Sequence, residues 1–459
     1  MDKVIAETEN PLGTEKIGKL MLRFGIPAII SMLVNAAYNM TDQVVIGSVE
    51  GLYGIAATNI AFPLMTISAA MTYLFGSGGA SNYNLKLGEG DKEAANALAC
   101  NTLGLLAISG IIIGALILLL VNPLVMAFGA TATVKPMALT YTTIIAIGFP
   151  FGVFSAGACY IIRADGSPRY AMICMLSGAI FNMIGDPVTA FIFKWGIEGI
   201  AWTTTLGQIL TAIIAIYYFL RKAKTIRVRR NLLIPNISLA IRIGSLGIAP
   251  FINQLGETVL QITMNNTLRF YGERSIYGSD IPLGSVGAIS KLNAVHAAIT
   301  IGIAMGCQPI NSYNYGAGKY DRVKRTLRNA IISASLVSIA VFGAYQLLPR
   351  QLMMIFGEKD PLYLEFSIRY LRVFMFMAFI RGIQPVVATF FPSIGNAKRG
   401  MWIAMSRQVL FIVPLLLILP VFFDINGVFF AGPIADSCAA IISAIFVVTE
   451  IRRMASDHN

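Results

Sequence analysis

Residues 76–92, GSGGASNYNLKLGEGDK, are the strongest clue to the architecture, because residues 306–322 repeat their framework as GCQPINSYNYGAGKYDR. The Tyr-Asn pair at Tyr83 returns at Tyr313, and the flanking Gly and Asp-basic positions return at the same offset. Each copy lies between two apolar blocks, so we interpret it as a turn between helices. Its glycines supply backbone freedom there rather than a phosphate-binding loop. The chain is therefore predicted to be a duplication of one helical unit.

Apolar blocks of membrane-spanning length fill the rest of both copies. The 459 residues are 56% hydrophobic and only 13% charged, whereas soluble domains average about 25% charged residues. A spanning helix needs about 20 apolar residues. We predict twelve such spans, at residues 20–47, 53–76, 95–120, 137–162, 171–193, 197–220, 241–268, 284–310, 329–349, 364–391, 401–423 and 426–450.

The predicted fold class is an all-α polytopic membrane protein whose twelve transmembrane helices form two pseudo-symmetric six-helix lobes. The lobes are expected at residues 1–230, which end in a basic cytoplasmic loop, and at residues 231–459. A cleft between two repeats in a membrane is where transporters bind their substrates. The sequence therefore favours a transporter.

The net charge of +12 has a distribution that argues against nucleic-acid binding. About 25 of the 35 Lys and Arg residues lie in every second inter-helix loop or at the termini, a bias that places those loops in the cytoplasm. The largest group, at residues 221–230, follows the sixth span. Both termini are therefore predicted to be cytoplasmic.

Acidic residues inside predicted spans are the first functional candidates. An ionised side chain at mid-bilayer costs about 2.5–3.5 kcal/mol on insertion scales, so such residues usually have a role. Four occur here: Asp42, Asp186, Glu257 and Asp436. When the alignment of the two repeats is extended without gaps, Asp42 aligns with Asn265 and Asp186 aligns with Leu415. These two acids are thus particular to the first lobe.

Polar side chains accompany both acids. Asn182 precedes Asp186 by one helical turn on the same face, Thr204 lies in the middle of the next span, and Tyr38, Asn39 and Gln43 flank Asp42. Two buried carboxyl groups with amide and hydroxyl oxygens could hold a proton or a Na⁺ ion. The alternative is that an acid inside a span is hydrogen-bonded and stabilises helix packing. We favour this structural role for Glu257 and Asp436.

Methionine and aromatic residues near these positions are weaker candidates for substrate contact. Flexible Met side chains suit an adaptable binding cavity, which makes Met40, Met65 and Phe154 candidates for substrate contact. The same prediction includes the polar residues Tyr38, Asn39, Gln43 and Glu257. Pro27 lies in the first third of span one and removes a backbone hydrogen bond. It is either a fixed bend or a hinge.

At these residues the chain resembles the multidrug and toxic compound extrusion (MATE) transporters, and it is most similar to their bacterial MepA-like branch. The resemblance covers nearly the whole chain. It is carried by the doubled Tyr-Asn turns and by three stretches: GIPAIISMLVNAAYNMTDQVVIG (residues 25–47), YIIRADGSPRYAM (160–172) and NMIGDP (182–187).

The resemblance implies two lobes arranged in a V that open alternately to either side of a bacterial cytoplasmic membrane. It implies export of cationic or amphipathic drugs against H⁺ or Na⁺. Asp42 and Pro27 match the family's helix-one acid and proline, Asn182 and Asp186 its Asn-x-x-x-Asp pair, and Thr204 lies near its helix-six polar position. Glu257 lies near a helix-seven acid of another branch, whose helix-ten acid has no counterpart between residues 366 and 391.

We expect no enzyme, because the signatures of a nucleophile with its base are missing from the sequence. We also expect no cofactor beyond the coupling ion, no nucleic-acid partner, and a monomer in the lipid bilayer. The remaining alternative is a flippase for lipid-linked precursors, which would need several cationic side chains in its cleft to hold a diphosphate. Few bases lie within the predicted spans.

Overall fold

The computed structural model describes residues 10–355 and 360–456. The first nine residues of the predicted N-terminal lobe and the last three of the C-terminal lobe lie outside this part. The long helices are α1 (Ile17–Gly51), α2 (Tyr53–Gly88), α3 (Lys92–Ala127), α4 (Lys135–Ala164), α5 (Pro168–Ile192), α6 (Gly196–Arg221), α7 (Ile237–Glu273), α8 (Asp280–Gly316), α9 (Tyr320–Leu347), α10 (Pro361–Val373 with Ala378–Ser393), α11 (Ala397–Phe423) and α12 (Ile425–Ala455). Shorter helices span Pro11–Thr14, Arg230–Leu233 and Pro349–Met354.

The predicted spans correspond to these helices in order, with two differences. In the described part of the chain, ten helices are long and apolar enough to cross a membrane, and α10 becomes an eleventh if its two segments, bent by 55°, are taken together. The helix α7 has 37 residues but is not among the helices that are apolar enough to cross a membrane. It carries Asn253, Gln254 and Glu257, which line a cavity instead of facing lipid.

Each lobe has its own hydrophobic core. One core joins residues of α2, α3, α4 and α6, among them Tyr141 and Phe149. Another joins residues of α7 to α12, among them Phe366 and Phe429. Because burial of apolar surface occurs mainly within each set of helices, the molecule consists of two helical lobes. The boundary at residues 230 and 231 stays a prediction.

The lobes meet at the helix ends nearest loop 222–236, which we call the basic end. A Cβ atom on Gly247 of α7 would lie 1.8 Å from the carbonyl oxygen of Leu74 in α2, so only glycine permits this approach. Gly302 of α8 also packs closely on the backbone of Ile29 in α1, where a Cβ atom would lie 2.6 Å from the Cα atom of Ile29. Gln308 of α8 donates side-chain hydrogen bonds to Ser77 and Ser81 of α2 at 2.9–3.1 Å. The lobes thus form a V that is closed at the basic end.

Among the described residues, three π-helical segments interrupt the long helices, at Tyr73–Ser77, Val188–Ile192 and Ser406–Ile412. Such segments are uncommon and occur often at functional sites. The second begins two residues after Asp186, and the third contains Arg407 and Gln408. The second segment adjoins a polar cluster of the N-terminal lobe, and the third lines a cavity of the C-terminal lobe.

Candidate functional site

The two acids particular to the first lobe lie together. Asp42 of α1 and Asp186 of α5 are both buried, and their carboxyl groups lie close enough to act electrostatically on each other. The hydroxyl of Thr203 in α6 donates to Oδ1 of Asp186. Three helices of the N-terminal lobe therefore contribute to one polar cluster.

Asn182, Thr204 and Tyr38 complete this cluster. The side-chain amide of Asn182 donates to the hydroxyl of Thr204 at 2.8 Å. Tyr38 lines the same cavity as Asn182 and Thr204, and both carboxyl groups act electrostatically on its hydroxyl. The residues predicted from the spacing of Asn182 and Asp186 are thus in contact. That they bind a coupling ion stays a prediction.

Three buried oxygens of the cluster have no hydrogen-bond donor among the described residues. They are Oδ1 of Asp42, Oδ2 of Asp186 and Oδ1 of Asn182. Buried acceptors without a partner are uncommon in native proteins and need an explanation. Oxygen atoms from carboxylate and amide groups can ligate a small hard cation. These three oxygens therefore fit Na⁺ as cargo, and a proton as cargo could bind to either carboxylate.

A cavity of about 310 Å³ adjoins the cluster within the N-terminal lobe. Of the residues predicted to contact substrate, Tyr38, Asn39 and Met65 line it, together with Asn182 and Thr204.

The other predicted substrate contacts lie elsewhere. The Gln43 amide is hydrogen-bonded to the Thr58 hydroxyl at 3.4 Å, Phe154 packs against a core cluster of the lobe, and Met40 is half-buried outside the lining of this cavity.

Glu257 belongs to a different cavity, of about 330 Å³, formed mainly by α7, α8, α10 and α11. Its carboxylate accepts a hydrogen bond from the side-chain amide of Gln408. His296, the histidine of span eight, lines the same cavity and is bonded to the hydroxyl of Ser338 at 2.9 Å. The structure therefore separates Glu257 from the other predicted substrate contacts.

Asp436 forms a buried ion pair with Arg407, whose Nε lies 2.6 Å from Oδ1 of the acid. Sequence analysis did not single out Arg407, although it is a base within a predicted span. The rule that selects acids in a membrane applies equally to bases and would have found it. This pairing agrees with the structural role favoured for Asp436.

Pro27 lies inside the continuous helix α1, where the Ser31 hydroxyl donates to the Pro27 carbonyl at 2.8 Å. Its neighbours Gly25 and Ile29 pack directly on Gly306 and Gly302 of α8. A change of bend at Pro27 would therefore alter the contact between the lobes. Its role as a hinge stays a prediction.

Comparison with known proteins agrees with this architecture. The sequence profile of the MatE family matches twice, at residues 27–188 and 255–418, once in each copy of the duplication. The multidrug export protein MepA of Staphylococcus aureus is 24% identical over 433 residues, which are 94% of this chain and 93% of that protein.

Solved structures show the same fold. The outward-facing conformation of a multidrug resistance MATE family transporter of the MOP superfamily superposes with a TM-score of 0.90 at 21% identity, covering 97% of this chain and 98% of that one. A MOP superfamily transporter from Pyrococcus furiosus, described as having a binding pocket of reverse polarity that suggests a different function, gives 0.89 at 20% identity with the same coverage. On the double match of the family profile, this chain belongs to the MatE family, that of the multidrug and toxic compound extrusion transporters.

Proposed function

We propose that this protein is a secondary antiporter that exports cationic or amphipathic compounds in exchange for a cation bound between Asp42 and Asp186. The observation that carries this proposal is the contact of two buried carboxyl groups beside a cavity in one lobe. Similarity to a protein named for multidrug export supports the substrate class. The charge pattern supports a plasma-membrane orientation in which the basic end faces the cytoplasm.

A proton is the coupling cation that the carboxyl contact favours. Two ionised carboxylates repel each other when they lie close together in a buried site, so a proton on one of them removes this repulsion. The nearness of Asp42 to Asp186 therefore supports a protonated pair in this conformation. Loss of that proton would leave two like charges in contact and drive the helices α1 and α5 apart.

Na⁺ is a second candidate, which the three donor-free oxygens support. Oδ1 of Asp42, Oδ2 of Asp186 and Oδ1 of Asn182 could each ligate it. A cation at this place would neutralise the carboxylates as a proton does. Both ions thus lead to the same exchange, and they differ in the gradient that drives export.

The exchange follows from competition between the coupling ion and a cationic substrate. In the conformation closed at the basic end, the cluster takes up the coupling ion from outside. The neutralised pocket then attracts a cationic drug less, and the drug leaves outward. Opening at the basic end exposes the cluster to the cytoplasm, where the ion is released. When the exported compound carries no net charge, the one elementary charge that enters supplies about 2.3 kcal/mol per 100 mV, enough for roughly 40-fold accumulation. Exchange of one coupling ion for a monovalent cationic drug moves no net charge and is driven by the concentration gradient of the ion.

The flippase alternative finds less support in the charges. Arg407 is neutralised by Asp436, and among the bases lining the cavity of the C-terminal lobe this leaves Arg381. A lipid-linked diphosphate would carry more negative charge than this one guanidinium could balance. Accumulation of lipid-linked precursors in a deletion strain would favour the flippase.

The test uses proteoliposomes that carry a pH gradient or a Na⁺ gradient, imposed separately. Export of ethidium by the wild-type protein should follow one of the two gradients. Asp186→Asn and Asp42→Asn should each abolish that dependence, while Glu50→Gln, an acid elsewhere on α1, should retain it. Full ion-driven export by both Asp variants would refute the proposal.

A further inference from the structure

A small cavity at the basic end is lined by bases from both lobes. Its volume is about 350 Å³, which lies within the usual range for ligand pockets, about 300–1,000 Å³. Lys16 and Ile17, where α1 begins, form one wall. Three arginines from the first turns of α9 form the other wall: Arg322, Arg325 and Arg328. In the described part of the chain, no acidic side chain lines this cavity, which we call the basic pocket.

The acids next to the basic pocket are paired with bases outside it. Oε1 of Glu15 lies 3.3 Å from Nη1 of Arg23. Oδ1 of Asp321 lies 3.9 Å from Nζ of Lys324. Among residues 10–355 and 360–456, no carboxylate forms an ion pair with the three exposed bases of the pocket, Lys16, Arg325 and Arg328. The pocket therefore has an excess of positive charge, which favours an anion.

Arg322 joins the two walls of the basic pocket. Its Nη2 donates hydrogen bonds to the carbonyl oxygens of Leu12 and Glu15, at 3.0 and 2.6 Å. Its Nε donates to Oδ1 of Asn314 at 2.9 Å. These acceptors are neutral, and Arg325 adds a second positive charge close to the guanidinium. Because α1 belongs to one lobe and α9 to the other, opening of the basic end would separate the walls of the pocket.

Exposed apolar side chains continue from the basic pocket along both helices. Residues three or four apart on a helix are neighbours on one face. The exposed face of α9 that begins at the pocket carries Arg325, Arg328, Ile332, Leu336 and Ile339. The exposed face of α1 carries Lys19, Leu22, Ile26 and Ile30. On each helix, bases at the basic end are thus followed by an apolar surface, which is the pattern that a phospholipid matches with its phosphate and acyl chains.

We propose that the basic pocket binds the phosphate of an anionic phospholipid, whose acyl chains lie along the exposed faces of α1 and α9. Basic pockets between transmembrane helices on the cytoplasmic side are typical sites for anionic headgroups. The planar guanidinium groups of Arg325 and Arg328 match phosphate oxygens through paired hydrogen bonds, and the ammonium group of Lys16 adds a third charge. A zwitterionic lipid brings a cation together with its phosphate. The bases repel that cation, so an anionic lipid is preferred.

A lipid in this pocket connects the two lobes at the basic end. Its phosphate contacts Lys16 ahead of α1 and the arginines of α9, and these walls separate when the basic end opens. A ligand that binds one conformation better shifts the equilibrium toward that conformation. Anionic lipid should therefore increase the population that is closed at the basic end. This inference goes beyond the proposed antiport and does not depend on the coupling ion or the exported compound.

The experiment measures the melting temperature of the full-length protein in neutral detergent micelles as phosphatidylglycerol or phosphatidylcholine is added. A ligand that binds the folded protein raises its melting temperature. Phosphatidylglycerol should raise it more than phosphatidylcholine does, and inorganic phosphate should not raise it. The double variant Lys16→Gln/Arg328→Gln removes one base from each wall. It should need about tenfold more phosphatidylglycerol for the same rise.

The matched control is the double variant Lys222→Gln/Lys398→Gln. It also removes one exposed base from each lobe, but neither residue lines the basic pocket, so its response to phosphatidylglycerol should equal that of the wild-type protein. A second measurement places spin labels at these two positions in nanodiscs. Replacement of phosphatidylcholine by phosphatidylglycerol should shorten the distances between the labels, and Lys16→Gln/Arg328→Gln should abolish this effect.

An equal rise with both lipids would overturn the site, and so would an equal loss of the response in the two double variants. A rise with inorganic phosphate as large as that with phosphatidylglycerol would assign the pocket to a soluble anion and refute the lipid. Label distances that are independent of lipid composition would refute the effect on closure. Failure of ion-driven ethidium export would refute the antiporter alone, because neither measurement here uses an ion gradient.

Discussion

The side-chain amide of Asn182 donates a hydrogen bond to the hydroxyl of Thr204 at 2.8 Å. Because the NH₂ group is used in this way, the amide oxygen of Asn182 remains without a donor beside the carboxyl pair. The threonine thus sets which end of the amide is available to a coupling ion. This relationship links a residue of α5 to one of α6 across the cluster.

We predict that Thr204→Val slows ion-driven export by roughly fivefold, because the amide loses the bond that orients it, worth about 1 kcal/mol. The adjacent Thr205→Val is the control. Its hydroxyl donates to the Ile144 carbonyl at 3.0 Å and lies outside the cluster. This change should therefore lower the melting temperature and have little effect on the export rate. Rates of ethidium export in proteoliposomes, normalised to the amount of folded protein, measure the difference. Equal slowing by both variants would contradict the positioning role.

The Thr203→Val variant should slow ion-driven export. The Thr203 hydroxyl donates to Oδ1 of Asp186 and thereby orients the carboxyl group. Loss of a bond worth about 1 kcal/mol should reduce the export rate by roughly fivefold, whereas Thr203→Ser, which keeps the hydroxyl, should export at nearly the wild-type rate. Both variants are measured as ion-driven export in proteoliposomes. Equal slowing of the two would argue against a role of this hydroxyl.

The cluster around Asp186 could be predicted from the sequence because each clue was local. A carboxylate within an apolar span is rare, and the spacing of Asn182 and Asp186 places both on one helical face. The partners of Arg381 and Glu257 could not be predicted in this way. Their environment depends on how α7, α8 and α10 pack together, which one sequence does not specify.

The fold shows the same limit. Twelve helices in two lobes follow from hydropathy and the repeat, whereas the bend in α10 at residues 374–377 has no proline or glycine to announce it. At this bend the carbonyl oxygen of Phe374 approaches Gly432 of α12, where a Cβ atom would lie only 2.5 Å away. The bend is thus stabilised by a tertiary contact. Similarly, α7 is less apolar than a lipid-facing helix because its polar face lines a cavity.

The buried ion pair of Arg407 and Asp436 should behave as a unit in stability measurements. The single variants Asp436→Leu and Arg407→Met each leave a buried charge without its counter-charge, which typically costs about 3–5 kcal/mol. We predict a marked fall in the melting temperature of each single variant, and recovery of most of the loss in the double variant Arg407→Met/Asp436→Leu. Thermal unfolding in detergent, evaluated as a double-mutant cycle, gives the coupling. Additive losses would mean that the pair does not stabilise the lobe.

The contact of α1 with α8 should control which side of the transporter opens. A Cβ atom at Gly302 would lie 2.6–2.8 Å from backbone atoms of Ile29, and backbone cannot move aside as a flexible side chain can. Gly302→Val should therefore push the lobes apart at the basic end and depopulate the conformation described here. Gly287→Val is the matched control on the same helix, since a Cβ atom there meets nothing within 4 Å. Spin labels at the exposed positions Lys222 and Arg325, one on each lobe, should report longer distances in Gly302→Val and unchanged distances in the control. If the distances in Gly302→Val match those of the wild-type protein, the close approach at Gly302 is not what holds the basic end closed.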